Sequence, residues 1–123
     1  MKILVLGAGM MGEPMARRFL KAGHRVLVLP HRREEPIRRL AAEGAARIAD
    51  LPSAGKEADV VFSMLPNLPQ IDEILFGRGL ADAMRPGSLF LNMSTVSPHG
   101  IVKTAESLGE RGIDVLDAPV SGG

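Results

Sequence analysis

The sequence predicts an α/β domain built on a doubly wound, mostly parallel sheet of six strands, with helices on both faces. Three observations predict it. Short continuous apolar runs such as Ile3-Leu4-Val5-Leu6 recur along the chain, and that is how strands covered on both faces read. Segments of helical period lie between them. Glycine, proline and capping residues punctuate the joins with little chain to spare, so strand and helix alternate through right-handed crossovers.

The elements follow in order. Ile3 to Leu6 is the first strand. Met11 to Ala22 has helical period, with Met11, Met15, Phe19 and Ala22 on one face, Pro14 tolerable in the first turn and Gly23 as a C-terminal glycine. Val26 to Leu29 is the second strand, and Pro36 to Glu43 a helix ended by Gly44. A short third strand is expected around Arg47-Ile48-Ala49 and a short helix from Leu51 to Lys56. Asp59 to Leu65 is the fourth strand, stopped by Pro66; Ile71 to Phe76 reads as helical, and Leu89 to Asn92 as the fifth strand. Ser97 caps a helix with Pro98 at its first position, running to about Arg111. Ile113 to Leu116 is the sixth strand. All six are expected to be buried.

Composition bounds the function. At 123 residues, 46% of them hydrophobic, the chain makes one domain with a substantial core. A formal net charge of +1 leaves no face-wide basic excess for nucleic acid. There are no cysteines, which removes disulfides and thiolate metal sites. No run is long and apolar enough to span a membrane. Met1 leads straight into a strand, leaving no room for a signal peptide, so a cytoplasmic protein is expected.

Ligands of doubly wound sheets bind outside the carboxyl ends of the strands. After the first strand comes Gly7-Ala8-Gly9-Met10-Met11-Gly12, a G-x-G-x-x-G. Alone it is weak; between a strand and an amphipathic helix it is the context of a dinucleotide-binding Rossmann sheet. Gly7 permits the tight turn, Gly9 lets backbone N–H groups approach a pyrophosphate, and Gly12 lets the helix pack close to the strand with its positive end toward the phosphates. The competing reading is a glycine-rich turn without a ligand. Met10, Met11 and Met15 are read as packing.

NAD sites usually place a carboxylate about 20 residues past this loop, for the ribose hydroxyls. Here those positions are Leu29-Pro30-His31-Arg32-Arg33, with no carboxylate until Glu34. A 2′-phosphate suits His31, Arg32 and Arg33, since guanidinium groups bind phosphate bidentately. The charge therefore favours NADP, with NAD still possible. The alternative is a solvated helix face, in which Glu34–Arg38 and Glu35–Arg39 pair at i,i+4 and leave His31, Arg32 and Arg33 free. Strand four ends in Met64-Leu65-Pro66-Asn67 and strand five in Asn92-Met93-Ser94-Thr95, on the same rim. Thr95 can donate to a carboxamide or ribose, and Leu65-Pro66 can wall the nicotinamide ring; ordinary turn chemistry accounts for the same residues equally well.

"GAGMMGEPMARRFLKAGH", "MLPN", "NMSTVSP" and "DAPVSGG", in this order and spacing, closely resemble the β-hydroxyacid dehydrogenases, the group of 3-hydroxyisobutyrate dehydrogenase and tartronate semialdehyde reductase. The resemblance covers essentially the whole chain. It implies that Gly7, Ala8, Gly9, Met10, Met11 and Gly12 hold the pyrophosphate, that Leu65, Pro66 and Asn67 lie near the nicotinamide, and that Thr95 contacts its riboside. Ser121, Gly122 and Gly123 are implied to bind a substrate carboxylate. NADP-using members often carry Asn-Arg-Thr where this chain has Pro30-His31-Arg32, which leaves open which of His31, Arg32 and Arg33 meets a 2′-phosphate. Asn92 replaces a frequent Asp, a change not expected to alter the chemistry.

In this family a catalytic lysine lies beyond the substrate loop, on a long helix leading to an all-helical second domain. None of Lys2, Lys21, Lys56 and Lys103 occupies the matching place. The expectation is a dinucleotide-binding domain over 1–123, ending just after the substrate loop, without the helical domain and inactive alone. The intact enzyme is expected to interconvert a small 3-hydroxy acid and its semialdehyde or keto partner, and to be a homo-oligomer. The alternatives are a non-catalytic NADP(H)-binding module and an imine reductase-like enzyme. No catalytic or metal residue is assigned within the chain. His24 reads as structural, His99 as solvated, and Asp117 as bonding local backbone.

Overall fold

The computed structural model describes residues 1–8, 12–30, 33–94 and 96–118. Six strands form one sheet: β1 (Lys2–Leu6), β2 (Arg25–Val28), β3 (Ala46–Arg47), β4 (Val60–Ser63), β5 (Leu89–Asn92) and β6 (Asp114–Asp117). Their spatial order is β3-β2-β1-β4-β5-β6, and every pairing is parallel. In register, Leu6 lies beside Ser63, Ser63 beside Asn92, and Asn92 beside Asp117.

Parallel strands need crossovers, and the helices supply them: α1 (Gly12–Lys21), α2 (Glu35–Ala42), α3 (Leu51–Glu57), α4 (Leu68–Asp72), α5 (Leu80–Ala83) and α6 (Pro98–Glu110). Side chains alternate across the sheet. Ile3, Val5, Val26, Val28 and Phe62 pack under Ala16 of α1 and Ile37 and Leu40 of α2. Leu4, Leu6, Leu27, Val61 and Phe90 point the other way, under Leu51, Ile71, Leu80 and Leu108 of α3 to α6. Phe19 meets Phe62 edge to face, with centroids 5.2 Å apart, a geometry worth about 1 kcal/mol beyond the area buried.

Local chemistry sets the helix ends. Asp50 accepts from the Ser53 N–H at 2.9 Å and opens α3. Its carboxyl is held below the usual range by the Ser53 hydroxyl and then by that N–H. Ser97 opens α6, accepting from the Gly100 N–H, with Pro98 first in the helix. Gly23 and Gly44 follow α1 and α2 with φ of 91° and 114°, which non-glycine residues rarely adopt.

Several expectations need correction. Strands three and six are not buried: β3 is two residues long on the sheet edge, and Leu116 on the other edge is 52% exposed. The cause is topological, since α1 and α2 cover their face of the sheet only over β1, β2 and part of β4, and leave Leu91 and Met93 half-buried. The helix expected over 71–76 begins at Leu68 and continues past Asp72 as a π-helical turn, Glu73–Gly77. A further short helix, α5, precedes β5. Its cue was Gly79, whose φ of 79° breaks the chain before Leu80.

Candidate nucleotide-binding site

The sheet order reverses between β1 and β4, so the crevice for a ligand opens at the carboxyl ends of these neighbours. The turn leaving β1 is flanked by two glycines packed against main chain. Gly7 has φ of 88°, and a Cβ there would lie 3.0 Å from the Met64 carbonyl carbon and oxygen. A Cβ on Gly12 would lie 1.9 Å from the Gly7 carbonyl oxygen. Both glycines are therefore required by contacts to main chain, which cannot rotate aside. Ala8 is half-buried against the core under α1 and α2. Gly9, Met10 and Met11 lie outside the described residues.

Polar contacts join the ends of β4, β5 and β6. The Ser94 hydroxyl donates to the carbonyl of Leu65, which is buried. The Asn92 amide donates to the Ser94 carbonyl at 3.1 Å and to the Asp117 carboxylate at 2.9 Å, and its oxygen accepts from the Ser94 N–H. Asp117 thus meets a side chain of the neighbouring strand, not the local backbone expected. Asn92 does something Asp could not, because only the amide can donate to a carboxylate. The Ser63 hydroxyl, fully buried at the end of β4, has no partner among the described residues. Pro66 is exposed, and Asn67 caps α4 by accepting from the Gln70 N–H at 3.0 Å. Thr95, Ser121, Gly122 and Gly123 fall outside the described residues.

Beyond β2 the charges pair differently from the i,i+4 expectation. Glu34 takes Arg47 of β3 at 2.7 Å, not Arg38. Arg39 donates to both oxygens of Glu13 on α1, at 2.7 and 2.8 Å, not to Glu35. Arg17 joins the same cluster, reaching Glu13 at 3.0 Å and Glu43 at 2.6 Å. The hydrogen bond from Arg39, helped by Arg17, lowers the Glu13 pKa from 4.5 to about 2 against the opposing effect of burial. Arg33, expected to stay free, lies 4.0 Å from Glu35 with its side chain 80% exposed. His31 and Arg32 lie outside the described residues.

A cavity of about 390 Å³ opens beside these residues at the carboxyl ends of β2 and β3. Leu29, Pro30, Ile48, Ala49 and Leu51 line it together with Arg47 and Arg78. Sequence reasoning missed both arginines. In the sequence Arg47 reads as the start of the third strand, and only the structure puts it at the carboxyl end; Arg78 had no signal, since only the fold brings the end of the π-helical turn beside β3. The Ser63 hydroxyl also went unnoticed, inside an apolar strand. Among the described residues no cluster of three or more histidines and carboxylates gathers as a metal site, and no helix is long and apolar enough to cross a membrane.

A parallel sheet in the order 3-2-1-4-5-6, with Gly7 and Gly12 packed on main chain at its switch point, defines a dinucleotide-binding domain. The chain belongs to the family described as the NAD binding domain of 6-phosphogluconate dehydrogenase, matched over residues 2–123. It is 37% identical to the 2-hydroxy-3-oxopropionate reductase of Escherichia coli, over 100% of this chain and 42% of that protein. It is 39% identical to the NAD-dependent L-serine dehydrogenase of Pseudomonas aeruginosa, over 99% of this chain and 41% of that protein. Among solved structures, the Mycobacterium tuberculosis 3-hydroxyisobutyrate dehydrogenase with L-serine superposes with a TM-score of 0.88 at 35% identity, over 99% of this chain and 41% of that one. The chain thus spans about two-fifths of the length of these relatives.

Proposed function

We propose that this chain is the cofactor-binding half of an oxidoreductase that prefers NADP and acts on a small 3-hydroxy acid or its semialdehyde. The observation that carries cofactor binding is the pair Gly7 and Gly12, each packed on main chain where β1 gives way to α1 at the switch point, the place a pyrophosphate would take. When bound, the nicotinamide cofactor supplies the hydride donor or acceptor. The chain's own part is to bind and orient: Gly7, Ala8, Gly9, Met10, Met11 and Gly12 against the pyrophosphate, Leu65, Pro66 and Asn67 beside the ring, Thr95 at the riboside. Ser121, Gly122 and Gly123 serve the substrate carboxylate, and the acid-base lysine comes from a longer polypeptide.

The NADP preference rests on charge. The first carboxylate after β2 is Glu34, and Arg47 holds it at 2.7 Å, so it is not free to receive ribose hydroxyls. His31, Arg32 and Arg33 remain as the cationic side of a 2′-phosphate site. The L-serine dehydrogenase of P. aeruginosa, named as NAD-dependent, marks the competing choice.

Titration with NADPH and NADH, followed by the fluorescence of the reduced nicotinamide, tests both halves of the reading in a chain with no Trp or Tyr. NADPH binding more tightly than NADH is expected. Tighter NADH overturns the preference, and binding of neither by the folded chain overturns cofactor binding by this unit. The chain alone is expected not to oxidise NADPH with a semialdehyde; turnover would sink the assignment of the acid-base group to a longer polypeptide.

A further inference from the structure

Two cations line the cavity at the ends of β2 and β3, and one anion beside it pairs with the first. Arg47 and Arg78 both line it, and Glu34 offsets Arg47 alone. The Arg78 guanidinium makes no hydrogen bond or ion pair with any described residue. It stands at the end of the π-helical turn and lines the same cavity as Leu29 and Pro30. Leu29, Pro30, Ile48, Ala49 and Leu51 complete the lining, with Leu29 and Leu51 almost wholly buried. A cavity with two arginines in its lining suits the anionic substituent of a nucleotide. The guanidinium groups meet the charge, and either can stack on an adjoining base.

We propose that Arg47 and Arg78 are specificity-determining residues for the adenosine end of the cofactor, selecting a dinucleotide with a phosphate on the adenine ribose. This rests on the cofactor reading above and adds to it two positions distant in sequence from the cluster after β2. Glu34 tunes the selection. While it holds Arg47 it screens that cation, and a ribose phosphate must compete with it. Substitutions at Glu34 and at Arg47 therefore act in opposite directions, which a merely structural ion pair would not produce.

The test compares NADPH and NADH binding by the 123-residue chain with Arg47→Gln, Arg78→Gln and Glu34→Gln, each checked for folding by circular dichroism. All three side chains are at the surface, so the fold is expected to persist. Each arginine variant should weaken NADPH about tenfold, the scale of one charge-assisted contact, and leave NADH within about twofold. Glu34→Gln should tighten NADPH. Arginine variants that keep the parental ratio of NADPH to NADH affinity, or that lose both cofactors equally, overturn the inference while leaving cofactor binding intact. Failure of the cofactor reading shows earlier and separately, in a parent chain that binds neither nucleotide or prefers NADH; that result removes the inference with it.

Discussion

Two clusters of arginine and glutamate flank α2, and they are built differently. Between α1 and α2, Glu13 and Glu43 meet Arg17 and Arg39 in equal number, and Glu13 accepts from both arginines. At the ends of β2 and β3, Glu34 meets Arg47 while Arg78 stands apart from any described carboxylate. The first cluster is neutral and closed, and Glu13 is only 12% exposed. The second carries a surplus positive charge at the mouth of a cavity. A saturated cluster has no capacity for a ligand and contributes to holding two helices together. An under-neutralised one contributes little to stability and has a valence to offer an anion. Equal residue types thus divide into a structural and a binding role through the balance of charge.

The expected effects run from large to small. Gly12→Ala tests the platform on which the first cluster stands, since its Cβ would meet the Gly7 carbonyl oxygen at 1.9 Å. A loss of about 3 kcal/mol or more in urea unfolding is expected, with loss of nucleotide binding. Asn92→Asp breaks a third closed contact by setting a second carboxylate against Asp117; a loss of about 2 kcal/mol at neutral pH is expected, shrinking as acid protonates the pair. Full stability in that variant would show that Asn92 is not holding β5 to β6.

Glu13→Gln opens the first cluster. The pKa of Glu13 is lowered from 4.5 to about 2, so its stabilisation is present above pH 4.5 and is lost as pH falls through that window toward 2. At pH 7 the variant should be about 1.5 kcal/mol less stable, a figure reduced for screening by solvent. The two proteins should converge as the pH approaches 2, which denaturant melts across that range will show. Glu34→Gln is expected to shift stability by no more than about 0.5 kcal/mol, as for other exposed pairs. An equal loss in both glutamate variants would erase the distinction between the clusters.

The elements of the sheet were legible from the sequence because their signals are local. Apolar runs placed β1, β2, β4 and β5, and β5 matched at both ends. Ser97-Pro98 marked the start of α6 because a hydroxyl acceptor and a fixed φ suffice to begin a helix. The π-helical turn and α5 escaped, since 71–76 reads as an ordinary amphipathic stretch and α5 is only four residues long. Of the site, the glycine turn was legible, and the cavity arginines were not. The i,i+4 pairs read into "EEPIRR" failed for the same reason: partners distant in sequence offered shorter contacts than neighbours on the helix surface.

The sequence by itself determined what a residue and its neighbours can settle. Gly7 needs a positive φ, Ser97 opens a helix, and four-residue apolar runs make buried strands. These depend on torsional freedom and short-range hydrogen bonding. The tertiary structure decided which charges meet. Glu34 finds Arg47 across 13 residues, Arg39 finds Glu13 across 26, and Arg78 arrives at the cavity from beyond α4. It also left Leu116 exposed on an edge that reads from its residues as core. Coulomb partners and burial depend on distance in space, and only the completed sheet sets those distances.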